Sequence, residues 1–394
     1  MKNRIPMIIA LALLALSILN LQLSTCFAQG SLTPPGAPAP TMKSLDQIEP
    51  RTPIAANTTP GDASDLFVIS QPGSYYLTTN LVGVSGKNGI EITANNVTLD
   101  LNGFALQGVS GSVSGIYIPG AQTNITVHNG NLSGWDPGVN SSAASSANMV
   151  FERLNVSAST TSFGLDIAGA CVVRDCNCQH NGYGIYCQGA AVISGCTADN
   201  NSFDGILCTS SSSISGCTAN NNTDIGIEEY YGPVSGCNVQ NNGTVGIYII
   251  SGTVSGCVVE NNGSSGIIVF FAAVVTGCYV SGNYDSGIYL TAAGTGSSEV
   301  IGNTCNGNNT SGSGSAGGIF IASSNNRVEG NHVAASGNTG IAVASVPSGY
   351  INNIITKNSV SGNGANNYSV PAGNDLGPVG TAATATSPWA NISH

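Results

Sequence analysis

The sequence predicts an all-β protein, a parallel β-helix in which about 12 or 13 coils stack into one solenoid. Three observations lead to this prediction. A four-residue pattern, apolar-Ser/Thr-Gly-Cys, recurs every 20 or 21 residues, and self-similarity at such a period is typical of repeat architectures. Apolar and polar residues alternate in short runs, as they do in strands. Glycine, asparagine and serine separate these runs and supply turns, so each repeat holds three short strands and three turns.

The repeat is clearest from Val173 to Leu290, where equivalent residues fall into columns. Parallel coils stack at roughly 4.8 Å, so each column runs through the body of the solenoid. One column consists of cysteines: Cys196, Cys217, Cys237, Cys257 and Cys278. A second consists of asparagines five places later: Asn201, Asn222, Asn242, Asn262 and Asn283. Stacked asparagines hydrogen-bond to one another, which predicts an asparagine ladder.

The cysteine column is predicted to be a ladder of buried free thiols that act as small apolar fillers. Equivalent side chains on stacked coils point the same way, so their Cβ atoms stay farther apart than the roughly 3.8 Å of a disulfide. The sequence lacks CxxC pairs, and no metal site is predicted. A separate group of cysteines lies near the start of the column, and one disulfide within it is an alternative that the sequence leaves open: Cys176, Cys178, Cys187 and Cys208.

The ends of the chain differ from the repeat. Residues 1–28 have the basic start, apolar core and small-x-small site of a signal peptide, which predicts a secreted protein, extracellular or periplasmic. Thr25 directly before Cys26 disfavours a lipoprotein anchor. Residues 29–64 form a Pro-rich leader, 65–365 the β-helix, and 366–394 a tail predicted to pack on or near the last coil. No other stretch is long and apolar enough to span a membrane.

Two segments break the repeat. Residues 130–148 contain Trp135-Asp-Pro137 and a Ser/Ala-rich run, and a loop is predicted to leave the body there. Between Gly287 and Gly318 the spacing lengthens to 31 residues, with insertions at 294–298 and 308–317. Loops on a rigid scaffold often carry function.

The composition limits the class of partner. Only 7% of the residues are charged, and the formal net charge is -11. An acidic surface argues against nucleic acid and against anionic membranes. It also argues against a polyanionic sugar, unless Ca²⁺ bridges the two.

The frame Val254…Cys257…Val259…Asn262…Gly266-Ile267 resembles the right-handed parallel β-helix repeat of the pectin-lyase-like superfamily. The family commonly has asparagine where this chain has cysteine, and the chain returns to asparagine at Asn303, Asn331 and Asn358. The segment 95–103 resembles the first coil of that superfamily. The segments 41–54 and 387–393 resemble the ends of secreted bacterial β-helix proteins without assigned function.

An outward stripe is the predicted binding surface. After each Gly-Ile pair the strand alternates in and out, so large side chains face outward over several coils, as on an interaction surface. The predicted binding residues are Tyr186, Glu228, Tyr230, Tyr248, Phe270, Tyr289 and Phe320. In the superfamily that the chain resembles, a groove along the parallel sheets is the usual polysaccharide site. The resemblance therefore implies such a groove here. The partner would be a polysaccharide or a cell-surface glycan. The alternative is that a loop, the tail or a second subunit covers the stripe.

Acidic residues beside these aromatics are the only candidates for catalysis. Glu228, Glu229 and Asp204 lie together in the repeat, and Glu229 falls at an inward position, which requires either a bulge or a raised pKa. Such acids could supply a general acid and base for glycoside cleavage. The alternative is a local bulge with solvated acids.

The motifs of the enzymes that the chain resembles are largely missing. The family's lyases pair Ca²⁺-binding aspartates with a basic residue, and its hydrolases share Asn-Thr-Asp, Asp-Asp and Gly-His-Gly motifs. Of these three hydrolase motifs only the tripeptide Asn222-Thr-Asp224 occurs here, without the other two. The sequence therefore favours a glycan-binding protein without assignable catalysis and without a cofactor. A polysaccharide lyase or glycoside hydrolase around Glu228, with Ca²⁺ in the lyase case, and a structural or adhesive rod are the alternatives.

Overall fold

The computed structural model describes residues 50–291, 296–345 and 349–394. The predicted signal peptide and most of the Pro-rich leader lie outside these residues. The chain divides into residues 1–50 and 51–394, and the fold described below is that of the second unit. Its strands form three faces of a parallel β-solenoid, and the described residues contain no helix.

The first face is a sheet of fourteen parallel strands, one for each coil. Its strands are Asp65–Ile69, Asn88–Ile92, Ile116–Ile118, Val139–Ser141, Phe163–Ile167, Tyr183–Cys187, Ile206–Cys208, Ile227–Glu229, Ile247–Ile249, Ile267–Val269, Ile288–Leu290, Gly317–Ile321, Thr339–Val343 and Asn366–Ser369. The sequence predicted 12 or 13 coils. The difference arises because Asn366–Ser369, assigned to the tail, pairs in parallel with Thr339–Val343 and completes a further coil.

The second and third faces complete each coil. The second-face strands are Thr52–Pro53, Gly73–Tyr76, Val97–Asp100, Cys171–Arg174, Ala191–Ser194, Ser213–Ser215, Pro233–Ser235, Gly252–Ser255, Ala273–Thr276, Glu299–Ile301, Arg327–Glu329, Ile354–Thr356 and Asp375–Leu376. The third-face strands are Leu81–Val82, Ala105–Gln107, Asn177–Gln179, Asn238–Gln240, Val258–Glu260, Tyr279–Ser281, Thr304–Asn306, His332–Ala334, Ser359–Ser361, Val379–Gly380 and Asn391–Ser393. Two long strands, Thr123–Ser133 and Ala147–Ser157, run through both faces.

Left-handed backbone positions make the turns between the second, third and first faces. Gly256 before the cysteine has φ of 59°, and Asn261 in the next turn has φ of 56°. Glycine and asparagine are the residues that adopt this conformation most readily. This explains why Ser-Gly-Cys and Asn-Asn recur in the repeat.

The asparagine ladder is confirmed. From Asn201 to Asn308, each side-chain Nδ2 donates to Oδ1 of the asparagine one coil further on, over 2.8–3.0 Å. Two more ladders appear in later coils. One runs through Asn303, Asn331, Asn358 and Asn391, and the other through Asn326, Asn353 and Asn374. Buried amides thus satisfy one another through the solenoid.

The cysteine column is also confirmed as buried free thiols. Its five predicted members and Cys176 are 2% exposed or less, and they continue directly into the asparagine ladder at Asn303. All eleven cysteines among the described residues are free and buried. Burial raises the pKa of Cys305 to about 12, which keeps this thiol protonated.

The segment around Trp135 does not leave the body, so the predicted loop is wrong. Trp135 is 0% exposed, and its indole Nε1 donates to the carbonyl of Leu106 over 3.0 Å. A Cβ at position 83 would lie 2.8 Å from the indole ring, so Gly83 leaves the space that the ring occupies. The segment then re-enters the first face as Val139–Ser141.

The other irregular segments stay in register with the solenoid. Residues 292–295 lie outside the described residues, but Ile288 pairs with Ile319 across the long spacing. Asn309 holds the 308–317 insertion by donating from Nδ2 to the carbonyls of Ser313 and Ala316, over 2.8 and 3.1 Å. The C-terminal residues pair with the preceding coil on all three faces, so the strand edges of that coil are covered.

Candidate functional site on the first face

The outward side chains of the first face form one column, here called the outer stripe. Strand register aligns Tyr186, Leu207, Glu228, Tyr248, Ile268, Tyr289 and Phe320 on successive coils. The first six are half-buried, with neighbours above and below and solvent in front. Side chains so placed present a continuous, largely apolar surface to a ligand.

A second outward column lies directly after these strands. It consists of Gln188, Thr209, Tyr230, Ile250, Phe270 and Thr291, and the amide of each bonds to a carbonyl of the preceding coil. Phe270 contacts the stripe, because its ring centroid lies 6.2 Å from that of Tyr248. The structure therefore brings Tyr230 and Phe270 beside the outer stripe, as the alternation predicted.

Aromatic residues that the sequence analysis missed extend this surface. Phe163, Tyr183 and Phe203 stack at the entrance to three successive first-face strands, with ring centroids 4.9 Å apart at each step. Tyr186 of the stripe lies 5.0 Å from Phe163, so the two groups of rings are continuous. The signal was present in the sequence, since Phe163 and Tyr183 each directly precede the glycine of the repeat.

Three carboxyl groups interact beside these rings. Burial, together with repulsion from Asp204 and Asp224, raises the pKa of Glu228 to about 7. Burial also raises the pKa of Asp204 to about 6, although this carboxylate accepts the amide hydrogen of Ile225 over 3.0 Å. With these pKa values, the carboxyl groups of Glu228 and Asp204 are partly protonated near neutral pH.

The basic residues of the described chain lie elsewhere. Five of the six pair with carboxylates of second-face strands: Arg51 with Asp100, Arg153 and Arg174 with Glu152, and Arg327 and Lys357 with Glu329. The sixth, Lys87, contacts the carbonyl of Asp62 near the first coil. The carboxyls of the stripe therefore gain no neutralising partner from the described residues.

Glu229 points into the core, and its strand does not bulge. It pairs in register between Cys208 and Ile249 and is 0% exposed. Its Oε1 accepts amide hydrogens from Ser212 and Tyr231, each over 3.1 Å, while Oε2 is buried without a partner. Burial raises its pKa to about 7. Glu229 therefore lies behind the sheet, away from any ligand on the stripe.

The C-terminal end of the stripe is closed, which corrects the prediction for Phe320. Its side chain is only 8% exposed and packs with Ala322 and Ala342 under Tyr350. The ring of Tyr289 lies 5.6 Å from that of Phe320, at the border between the closed and the open part. Tyr350 therefore covers the stripe at this end, while the part from Tyr186 to Tyr289 stays accessible.

A cluster of acids near the first coil has the composition of a cation site. One carboxylate oxygen from each of Asp62, Asp65 and Glu91 lies within 4.8 Å of the others. Asp62 already accepts the amides of Ser64 and Asp65, and Asp65 accepts Nδ2 of Asn88 over 2.8 Å. The hydrogen bonds within the protein account for this arrangement.

Among the described residues, no helix is long and apolar enough to cross a membrane.

Comparison with known families decides the classification. Residues 114–253 and 233–377 match the model of the right-handed β-helix region family. This chain belongs to that family. The resemblance to the pectin-lyase-like superfamily is thereby confirmed at the level of the fold.

Solved structures that are similar to this chain share little sequence identity with it. The A-module of the mannuronan C-5 epimerase AlgE4 from Azotobacter vinelandii covers 82% of this chain and 91% of its own, with 16% identity and a TM-score of 0.51. A mutant tailspike protein of E. coli bacteriophage HK620 in complex with a pentasaccharide covers 83% and 71%, with 11% identity and a TM-score of 0.48. A search of curated protein sequences finds no match.

Proposed function

We propose that this β-helix binds a polysaccharide along the open part of its outer stripe and performs no chemistry on it. The observation that carries the proposal is the unbroken column from Tyr186 to Tyr289, flanked by Tyr230 and Phe270. Its tyrosines recur every two or three coils, roughly 10–14 Å apart at the strand spacing. Rings held at fixed spacing on a rigid sheet offer apolar faces to sugar rings while their hydroxyls meet water.

Charge favours one class of glycan. The net charge of -11 and the carboxyls of Asp204, Asp224 and Glu228 would repel a uronate or sulfate polymer. A neutral glycan, or one with free amino groups, fits this surface better. The AlgE4 A-module, which shares the fold, is named for its action on mannuronan, so a uronate polymer with Ca²⁺ belongs in the same test.

The experiment is a calorimetric titration with a neutral β-glucan, a partly deacetylated chitin oligosaccharide and mannuronan, each with and without Ca²⁺. We expect binding without product release. Tyr248→Ala should weaken that binding roughly tenfold, because a stacked ring contributes about 1 kcal/mol or more. Tyr279→Ala is the matched control, since Tyr279 is 40% exposed on the third face. Equal affinity in both variants, or silence across the panel, would contradict the proposal and favour a structural or adhesive rod.

A second candidate function, glycoside cleavage, is favoured by the raised pKa of Glu228. A carboxyl with a pKa of about 7 is protonated often enough near neutral pH to serve as a general acid. Asp204 and Asp224, which lie beside it, would be the candidates for the second carboxyl group that such cleavage requires. This function predicts release of reducing ends from one polymer of the panel and loss of that release in Glu228→Gln. Glu229→Gln should retain it, because Glu229 points into the core.

We also propose that the protein is exported. The basic start, apolar core and Cys26-Phe-Ala28 site of the first 28 residues support cleavage after Ala28. Amino-terminal sequencing of protein from the medium or the periplasm should begin at Gln29. Recovery of an acylated chain that begins at Cys26 would show a lipoprotein instead.

A further inference from the structure

One corner of the solenoid core is polar where the neighbouring coils are aliphatic. The last inward position of the first face reads Ile167, Cys187, Cys208, Glu229 and Ile249 on five successive coils. Across this corner, Cys171 begins a second-face strand. Its Sγ lies 3.8 Å from Sγ of Cys187, and both thiols are buried.

The thiols of Cys171 and Cys187 approach each other from different faces of the solenoid, which distinguishes this pair from cysteines stacked on one face. Cys187 and Cys208 are direct partners in neighbouring parallel strands, so their Cβ vectors run side by side at the strand spacing. That spacing is larger than the Cβ–Cβ separation of a disulfide. Cys171 instead starts the next face, and its side chain meets that of Cys187 across the corner.

One of the pair borders the surface. Cys171 is 6% exposed and is among the residues that line an open surface groove. The groove is lined by Asn148, Met149, Val150, Ala170, Val172 and Ala190. Cys187, by contrast, is 0% exposed, so a small reagent meets Cys171 first.

We propose that Cys171 and Cys187 form a disulfide that links two successive coils across the corner. The co-reactant is a small disulfide. The Cys171 thiol loses its proton to water, and the thiolate attacks one sulfur of the reagent, which forms a mixed disulfide and expels one thiolate. Cys187 then loses its proton and attacks Sγ of Cys171, which forms the internal bond and expels the second thiolate. The expelled thiolates take up the two protons, so the protein loses two hydrogens and the reagent is reduced to two thiols.

The test uses the natively folded full chain in which Cys26 is replaced by Ala in the parent and in every variant, so that only the eleven buried cysteines remain. The protein is treated with 2-hydroxyethyl disulfide and its intact mass is followed. We expect a loss of about 2 Da and two fewer titratable thiols, both reversed by dithiothreitol, with no stable adduct. Proteolysis and tandem mass spectrometry should place the bridge between Cys171 and Cys187. The oxidised chain should melt at a higher temperature than the reduced chain, because the bridge constrains the unfolded state.

Variants locate the reaction. Cys171→Ala should remove all reaction, and Cys187→Ala should stop at a mixed disulfide on Cys171, with the mass of one reagent half added. Cys208→Ala is the matched control, because it removes a neighbouring buried thiol and should oxidise like the parent. Three results would overturn the proposal: a stable adduct in the parent, a bridge that involves Cys208, or no change in mass while the fold persists.

Discussion

The middle coils and the last coils build the same turn from different side chains. The middle coils carry cysteine after the second face, from Cys176 to Cys278, and the last coils carry asparagine there, from Asn303 to Asn391. Both side chains approach the same backbone carbonyl of the preceding coil. Thiol sulfurs lie 3.5–3.9 Å from it, and amide nitrogens 2.8–3.0 Å.

The difference shows which part of the turn the fold requires. The carbonyl and the small pocket beside it recur in every coil, so a thiol suffices to fill the space. The amide adds strong hydrogen bonds between coils: Asn331 donates to Asn358 over 2.9 Å and accepts from Asn303 over 3.0 Å. A cysteine contributes mainly burial, while an asparagine also connects its neighbours.

The outer surfaces of the two regions differ as well. The stripe is open over the middle coils and closed by Tyr350 over the last coils. A buried acid, Glu229, lies behind the open part, where the last coils have Ile321 and Val343. The middle coils thus combine buried thiols and a buried acid with an accessible surface.

Breaking the asparagine ladder should have the largest effect. Asn331→Ala removes bonds to Asn303, Asn358 and the carbonyl of Val300 and leaves buried polar atoms without partners. We expect a loss of about 3 kcal/mol in the free energy of unfolding. Cys257→Ala, the matched change in the middle coils, should lose only about 1 kcal/mol. Guanidinium denaturation measures both, and equal losses would show that the two columns contribute alike.

The pH dependence of stability should come next. The pKa of Glu229 rises on folding from 4.5 to about 7, so its neutral form is favoured in the core. The resulting stability is fully present below about pH 4.5 and is lost as the pH rises through about 7. The difference approaches about 3 kcal/mol. Denaturation at pH 4.5 and pH 8.5 should show a larger loss of stability in the parent than in Glu229→Gln, by about this difference. Glu228 and Asp204, whose pKa values are also raised, contribute equally in both chains.

Glu228→Gln serves as the control for this pH effect, because Glu228 also titrates near neutral pH but lies on the outer surface. The contribution of Glu229 should survive in that variant. A Glu229→Gln chain that loses stability with pH as steeply as the parent would assign the effect to other groups.

Moving the boundary between the two ladders should give a smaller, position-dependent effect. An asparagine in Cys278→Asn can donate both to the carbonyl of Val254 and to Oδ1 of Asn303, so stability should stay within about 1 kcal/mol of the parent. In Cys237→Asn the neighbours are thiols, and one amide hydrogen stays unpaired. That variant should lose about 2 kcal/mol. The opposite order in thermal denaturation would contradict the ladder argument.

Opening the closed end of the stripe should have the smallest effect. Tyr350→Ala removes the ring that packs over Phe320 and should lower the free energy of unfolding by about 1 kcal/mol. Any glycan affinity measured for the middle coils should not fall. A large decrease in that affinity would mean that the last coils belong to the binding surface.

Much of the fold could be predicted because each coil repeats the same constraints. The columns of cysteine and asparagine, the inward position of Glu229 and the outward positions from Tyr186 to Tyr289 all follow from a constant period. In a solenoid each coil pairs with its neighbours, so spacing along the chain fixes which side chains stack. The period alone therefore suffices to select the side chains that share the outward column.

Tertiary packing decided what lies outside that period. Trp135 enters the core because glycines of earlier coils leave it space, and Asn366–Ser369 adds a fourteenth coil although its sequence departs from the repeat. Phe320 has the outward register of a binding residue, yet Tyr350 covers it. Sequence alone determined which side chains share a column, because each coil pairs with its neighbours and the repeat length sets which residues align. Only the folded chain decided which columns reach solvent, because that depends on segments whose lengths vary from coil to coil.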